Sequence, residues 1–188
     1  MQDKIAASNR SITTPGFTCW LTGLSGAGKS TIAIALSTRL KAIELAFEIL
    51  DGDIIRQYLS SDLGFSAKDR ETNVLRVAYI CILLNKHGIN VIVALISPCN
   101  ETRNKVRNSL NNFIEIYVNC SLSECIKRDP KGLYQKALNG EIKEFTGISS
   151  PYDAPTDPEI TLNTNHENID QSVEKILEYL SHSKLIKY

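Results

Sequence analysis

Apolar and polar positions run along this chain in blocks, and the period of the blocks changes. Phe17-Thr18-Cys19-Trp20-Leu21 is a short apolar run that ends at glycine, the pattern of a buried strand. From Lys29 to about Leu45, Ile32, Leu36 and Leu40 recur on one face, which predicts a helix. Phe47 to Leu50 reads as a second strand that stops at Asp51-Gly52-Asp53, with Arg56 on a helix after Asp53. A long helix is predicted over Asp69 to His87, closed by Gly88 as a C-terminal cap. Its second half, Val74 to Leu84, is apolar nearly all round, which predicts burial against the sheet on one side and a second subunit on the other.

Ile89 to Ile96 is a nearly continuous run rich in β-branched residues, as a central parallel strand reads when helices cover both faces. A strand at Phe113 to Val118, a helix at Leu122 to Arg128, a short strand near Ile160 to Leu162 and a helix at Ile169 to Ser181 follow. Strands alternating with helices predict an α/β fold: a doubly wound parallel sheet with helices on both faces. Residues 1–15 read as a flexible lead-in and 16–188 as one domain. Arg128 to Pro158 breaks the alternation and is rich in Gly, Pro, Lys and Asp. A long irregular segment inside a compact domain reads as a lid, and its charges with Tyr134 and Phe145 favour that over a plain surface insertion.

Composition narrows the partners. Lys+Arg and Asp+Glu each total 21, so no global charge bias points to nucleic acid or a membrane surface. No apolar run reaches the ~18 residues that span a bilayer. The five cysteines are scattered without metal-ligand spacing, and Cys19, Cys81 and Cys120 lie in apolar runs, as structural thiols of a reducing compartment do. With no apolar leader at the N-terminus, the expected location is the cytoplasm.

Gly23-Leu24-Ser25-Gly26-Ala27-Gly28-Lys29-Ser30 fits G-x-x-x-x-G-K-[ST], between a predicted strand and a predicted helix. Glycines let backbone N–H groups wrap a phosphate chain, and the helix start adds its positive dipole end. Lys29 is expected to bridge the β- and γ-phosphates, and the Ser30 hydroxyl to ligate Mg²⁺. Gly23 to Ser30 and the adjoining Thr31 form the expected ATP-binding set.

A P-loop alone leaves small-molecule kinase, GTPase and mechanical ATPase open. Asn85-Lys86-His87-Gly88 lacks the aspartate of a guanine-reading motif, and the short chain with a lid favours a small-molecule kinase. Asp51 and Asp53 stand at a strand end, where open α/β sheets place ligands. In an extended chain they would point the same way, Asp53 as the base for an attacking hydroxyl and Asp51 beside the metal; a capping role is the alternative. Arg70, Asn73 and Arg76 form a helical stripe preceded by Arg56, and these three arginines suit an anionic acceptor.

Leu50-Asp51-Gly52-Asp53 with Arg56, Gly64-Phe65-Ser66 with Asp69-Arg70, Asn73 and Arg76, and Ile96-Ser97-Pro98 with Arg103 together resemble the adenylyl-sulfate (APS) kinase family. The resemblance is strongest in Arg128-Asp129-Pro130-Lys131-Gly132-Leu133-Tyr134 and in Gly140 to Ile148, and Ser150-Pro151-Tyr152-Asp153-Ala154-Pro155 completes it. It implies a P-loop NTPase fold and transfer of phosphate from MgATP to the 3′-hydroxyl of adenylyl sulfate. It further implies that Phe65 and Phe145 sandwich the acceptor adenine, and that Arg56, Arg70 and Asn73 hold the phosphosulfate and ribose. Lys131 would close over the anion, the Ile96-Ser97 backbone would line the acceptor, and Arg128 would meet the nucleotide. Ser97 falls where such enzymes are sometimes assigned a phosphoserine intermediate, although in-line transfer needs only positioning and charge stabilisation. Ile54 stands where the family usually has asparagine, Cys99 to Thr102 also departs from its pattern, and Leu162 to Glu167 is unusual where the resemblance would place the ATP base. The family further suggests a homodimer. Outside it, a kinase for a nucleoside or sugar acid and an ATP-sensing module without transfer are the competing readings.

Overall fold

The computed structural model describes residues 14–187, so the lead-in expected at 1–15 falls, as far as residue 13, outside the described residues. The described chain runs β1 (Thr18–Thr22), α1 (Lys29–Ala42), β2 (Phe47–Asp51), α2 (Gly52–Tyr58), α3 (Ala67–Lys86), β3 (Asn90–Ala94), then α4 (Asn100–Ser109). It continues through β4 (Phe113–Asn119), α5 (Leu122–Arg128), α6 (Leu133–Leu138), β5 (Ile160–Asn163) and α7 (Ile169–His182). The strands pair in parallel in the order β2-β3-β1-β4-β5.

Every residue of β1 and β3 is buried, which accounts for their unbroken apolar runs. Alternate residues feed two cores. Cys19, Leu21 and Ile92 pack with Leu36 and Leu40 of α1 and with Val173, Ile176 and Leu177 of α7. Trp20, Val91 and Val93 pack on the other face with Val77 and Cys81 of α3 and Val106 of α4. Helices therefore cover both faces, as the alternation predicts.

Two helices were not foreseen. The α4 sequence carries almost no apolar stripe; its inward residues are Thr102, Arg103 and Val106, and the Arg103 guanidinium is neutralised by Glu115 at 2.7 Å. The six-residue α6 lies inside the segment read as irregular, and buries Tyr134 and Ala137. For α3 the side expected against the sheet is buried, and the side expected against a second subunit is an open face. Val74, Val77, Ala78 and Cys81 are buried, and Leu75, Tyr79 and Leu83 are exposed in the single chain. Because all strands are parallel, their C-terminal ends share one edge, and the connections that leave it converge.

Candidate active site

Those connections line one cavity of about 970 Å³. The P-loop forms its floor. Gly23 has φ +154°, and a Cβ there would stand 2.5 Å from the Val118 carbonyl oxygen, so no larger residue fits against β4. Gly28, at φ +106°, turns the loop into α1. Lys29 is buried and donates to the Gly23 and Leu24 carbonyls at 2.9 and 2.8 Å. Burial pushes its amine down to about 8, an effect that Lys131 reinforces and that Cys125, Asp51 and Asp53 oppose.

The Ser30 hydroxyl donates to Asp51 Oδ2 at 2.6 Å. Asp51 Oδ1 accepts from the Asp53 N–H at 2.9 Å, so Asp51 is the N-cap of α2. The chain does not stay extended through Asp51-Gly52-Asp53, as the sequence reading assumed. It turns into helix at Gly52, where a Cβ would meet Leu95 Cδ2 at 3.0 Å and the Ala94 carbonyl oxygen at 3.3 Å. Capping and site placement are thus not alternatives for Asp51. Asp53 sits in the first turn of α2 and is contacted by the Lys131 ammonium, which reaches across from the lid. The Ser30 hydroxyl beside the Asp51 carboxylate is a hard oxygen set that fits Mg²⁺, an ion usually held by one or two carboxylates plus substrate phosphates. Among the described residues no group of His, Cys, Asp and Glu forms a metal cage of its own.

Arg56, Phe65, Arg70, Asn73, Ile96, Ser97 and Phe145, all predicted from the sequence, also line the cavity. Arg56 donates to the Gly64 carbonyl at 2.6 Å and lies 4.8 Å from the Phe65 ring centroid. Arg70 donates to the Phe65 carbonyl at 2.8 Å and to the Glu144 carbonyl. Asn73 is buried and its Oδ1 has no partner. The two phenylalanines differ. Phe65 is 57% exposed, whereas Phe145 is 9% exposed and packs edge-on against Tyr134 at 4.9 Å. Ser97 is buried at φ +45°, and its Oγ accepts from the Trp20 indole at 3.0 Å. Arg76 does not join this group. It forms a two-pronged pair with Asp62 at 2.6 and 2.8 Å, because a three-residue spacing drifts round the helix. Ile54 is 57% exposed and does not line the cavity.

Thr31, Arg128, Thr164, Glu167, Asn168 and Ser172 complete the lining. Arg128 donates to the Thr164 carbonyl at 2.6 Å and to Glu124 at 3.2 Å, while the Thr164 hydroxyl donates to the Ala27 carbonyl at 2.9 Å. The Leu162 to Glu167 stretch, unusual in sequence, therefore braces the P-loop. Thr164 and Glu167 fall in the stretch that the family resemblance places near the ATP base, while Asn168 and Ser172 had no role assigned, although their place beyond the end of β5 is the available signal. Five cations (Lys29, Arg56, Arg70, Arg128, Lys131) and three carboxylates (Asp51, Asp53, Glu167) line the whole, so the cavity favours anions.

The parallel sheet, the P-loop and the cavity over its strand ends define a P-loop NTPase fold. The family pattern described as adenylylsulphate kinase matches residues 15–163. An adenylyl-sulfate kinase of Picosynechococcus sp. is 51% identical over 166 residues, covering 88% of this chain and 94% of that protein. The structure of the Mycobacterium tuberculosis APS kinase CysC in complex with AMPPNP and APS superimposes with TM-score 0.85 at 40% identity, covering 89% of this chain and 98% of that one. A hexameric APS kinase from Thiobacillus denitrificans gives 0.70 at 34% identity, covering 93% of this chain and 30% of that one. The chain belongs to the adenylylsulphate kinase family. Among the described residues, no helix is long and apolar enough to cross a membrane.

Proposed function

We propose that this protein transfers the γ-phosphoryl group of ATP to the 3′-hydroxyl of adenylyl sulfate, giving 3′-phosphoadenylyl sulfate for sulfate assimilation. The observation that carries the reading is one cavity lined together by the P-loop, by Asp53 and by Arg56, Arg70, Phe65 and Phe145. ATP lies along Gly23 to Thr31 with its base toward Arg128. The acceptor lies at the Phe65 end, with Arg56 and Arg70 on its phosphosulfate and Asn73 on its ribose.

Asp53 takes the proton from the 3′-hydroxyl as that oxygen bonds to the γ-phosphorus and the bond to the β,γ-bridging oxygen breaks. Lys29 and Lys131 stabilise the charge spread over the transferring group. Ser30, with Asp51 beside it, would hold Mg²⁺, which would supply charge neutralisation at the phosphates. Ser97 serves the acceptor through its backbone, and transfer is direct and in line, which needs only positioning and charge stabilisation. The segment 128–158 acts as a lid, carrying Lys131 and Phe145 over the acceptor.

The exposed face of α3, with Leu75, Tyr79 and Leu83, supports a homodimer, and sedimentation of Tyr79→Glu as a monomer would bear that out. The free cysteines, among them Cys19 and Cys81 with thiols pushed up to about 12 by burial, suit a reducing cytoplasm. The test of function is a coupled ADP-release assay with Mg²⁺ and ATP. Adenylyl sulfate should stimulate release and Asp53→Ala should abolish the stimulation; stimulation by a sugar acid and not by adenylyl sulfate would refute the assignment.

A further inference from the structure

In the loop after β3 the carbonyls of Ile96, Ser97 and Pro98 and the Ser97 hydroxyl oxygen are satisfied from within the protein. The Thr22 hydroxyl donates to the Ile96 carbonyl at 2.7 Å, Arg103 donates to the Ser97 carbonyl, and the Asp153 N–H donates to the Pro98 carbonyl at 2.8 Å. The Ser97 Oγ accepts from Trp20. Its donors are another matter. Among the described residues, neither the Ile96 nor the Ser97 N–H enters a hydrogen bond, and both residues line the cavity.

Ser97 also holds φ +45°, in the left-handed region that a serine rarely adopts and that persists only where its surroundings over-determine it. Here they do. Trp20, fully buried from β1, fixes the side chain, and Arg103, 1% exposed, fixes the carbonyl. Arg103 is itself neutralised by Glu115 and donates in addition to Asn100 Oδ1 and, at 2.6 Å, to the Asp153 carbonyl near the lid's far end. One guanidinium thus joins the loop to the segment that ends the lid. Successive N–H groups beside a left-handed residue form a concavity that suits an oxygen anion or a hydroxyl oxygen.

We infer that Trp20 and Arg103 are positioning residues for the acceptor: they hold Ile96-Ser97 strained so that its two free N–H groups bind an acceptor oxygen. The inference rests on the function proposed above. It separates these two from ordinary core residues, because their loss acts on one substrate and not on the other.

Trp20→Phe keeps an aromatic ring against Phe113, 5.9 Å away, and deletes the indole donor. The expected result is a KM for adenylyl sulfate raised about three- to tenfold, the worth of one neutral hydrogen bond, with the KM for ATP unchanged. Arg103→Lys keeps the charge beside Glu115 but cannot reach every acceptor, and should give the same split with a larger rise. The chain has one tryptophan, so its emission reports this loop alone. Adenylyl sulfate should change that emission, and ATP alone should not. Equal shifts in both KM values in Trp20→Phe, or no shift, would overturn the inference while leaving the reaction standing. A wild-type protein that neither turns over nor binds adenylyl sulfate would overturn both.

Discussion

The Ser30 hydroxyl donates to Asp51 Oδ2 at 2.6 Å, tying the first turn of α1 to the end of β2. The same carboxylate caps α2 through Oδ1, so one side chain sets the distance between the phosphate loop and the helix that carries Asp53. Charge and cap can be separated. Asn caps about as well as Asp, so Asp51→Asn should keep the melting temperature and lose the charge beside the ion. The Mg²⁺ concentration for half-maximal activity should rise about tenfold, read from a Mg²⁺ titration at saturating ATP, because a hard divalent ion depends on its carboxylate.

Lys131 and Asp53 form an ion pair in which both side chains are at least half exposed. Such pairs contribute about 0–1 kcal/mol, so Lys131→Met should leave the denaturation midpoint nearly unmoved. Its effect should fall on transfer, lowering kcat and raising the KM for adenylyl sulfate. A large loss of stability with normal kinetics would assign Lys131 to structure.

Lys29 sets a pH limit. Its amine is held near about 8 by burial, below its ordinary value, so the ligand-free protein loses this charge as pH rises through that value. Because kcat/KM reports groups of the free enzyme, kcat/KM for ATP should be flat below the Lys29 value and fall above it by up to about tenfold per pH unit. The stability sign is opposite. With the folded value below the unfolded one, the native state binds fewer protons between the two, so this group's contribution to stability rises with pH across that window. A kcat/KM profile still flat well above pH 8 would contradict the assignment.

The two phenylalanines should separate. Phe65 is 57% exposed, so Phe65→Ala should spare stability and weaken adenylyl sulfate binding by about 1–3 kcal/mol, the worth of a stacked base. Phe145 is 9% exposed and packs on Tyr134, whose hydroxyl donates to the Ser25 carbonyl of the P-loop at 3.0 Å. Phe145→Ala should therefore destabilise by up to about 3–5 kcal/mol and weaken ATP as well as adenylyl sulfate. Chemical denaturation and calorimetry with each ligand distinguish the two patterns.

Sheet, P-loop and the strand-end location of the site were legible because each rests on a local pattern: the buried runs of β1 and β3, the glycine spacing, and Asp51 at a strand end. What was illegible depended on partners far along the chain. The helix α4 hides behind Arg103, whose burial is tolerable only because Glu115, on β4, neutralises it. Asp51-Gly52-Asp53 could be strand or helix until the close contact of Gly52 with Ala94 and Leu95 is known. Arg76 fits a site residue on spacing alone, and Asp62, in the turn between α2 and α3, takes it away. Thr164 carries no signature of its own, since its role comes from β5 placing it against Ala27.

The central claim is direct phosphoryl transfer to the 3′-oxygen of adenylyl sulfate. Mass spectrometry and ³¹P NMR of the nucleotides formed from ATP, Mg²⁺ and adenylyl sulfate test it most directly. The account predicts one new species, adenylyl sulfate carrying a phosphate on its 3′-oxygen, formed in step with ADP. ADP accumulating with inorganic phosphate while adenylyl sulfate stays unmodified would contradict it.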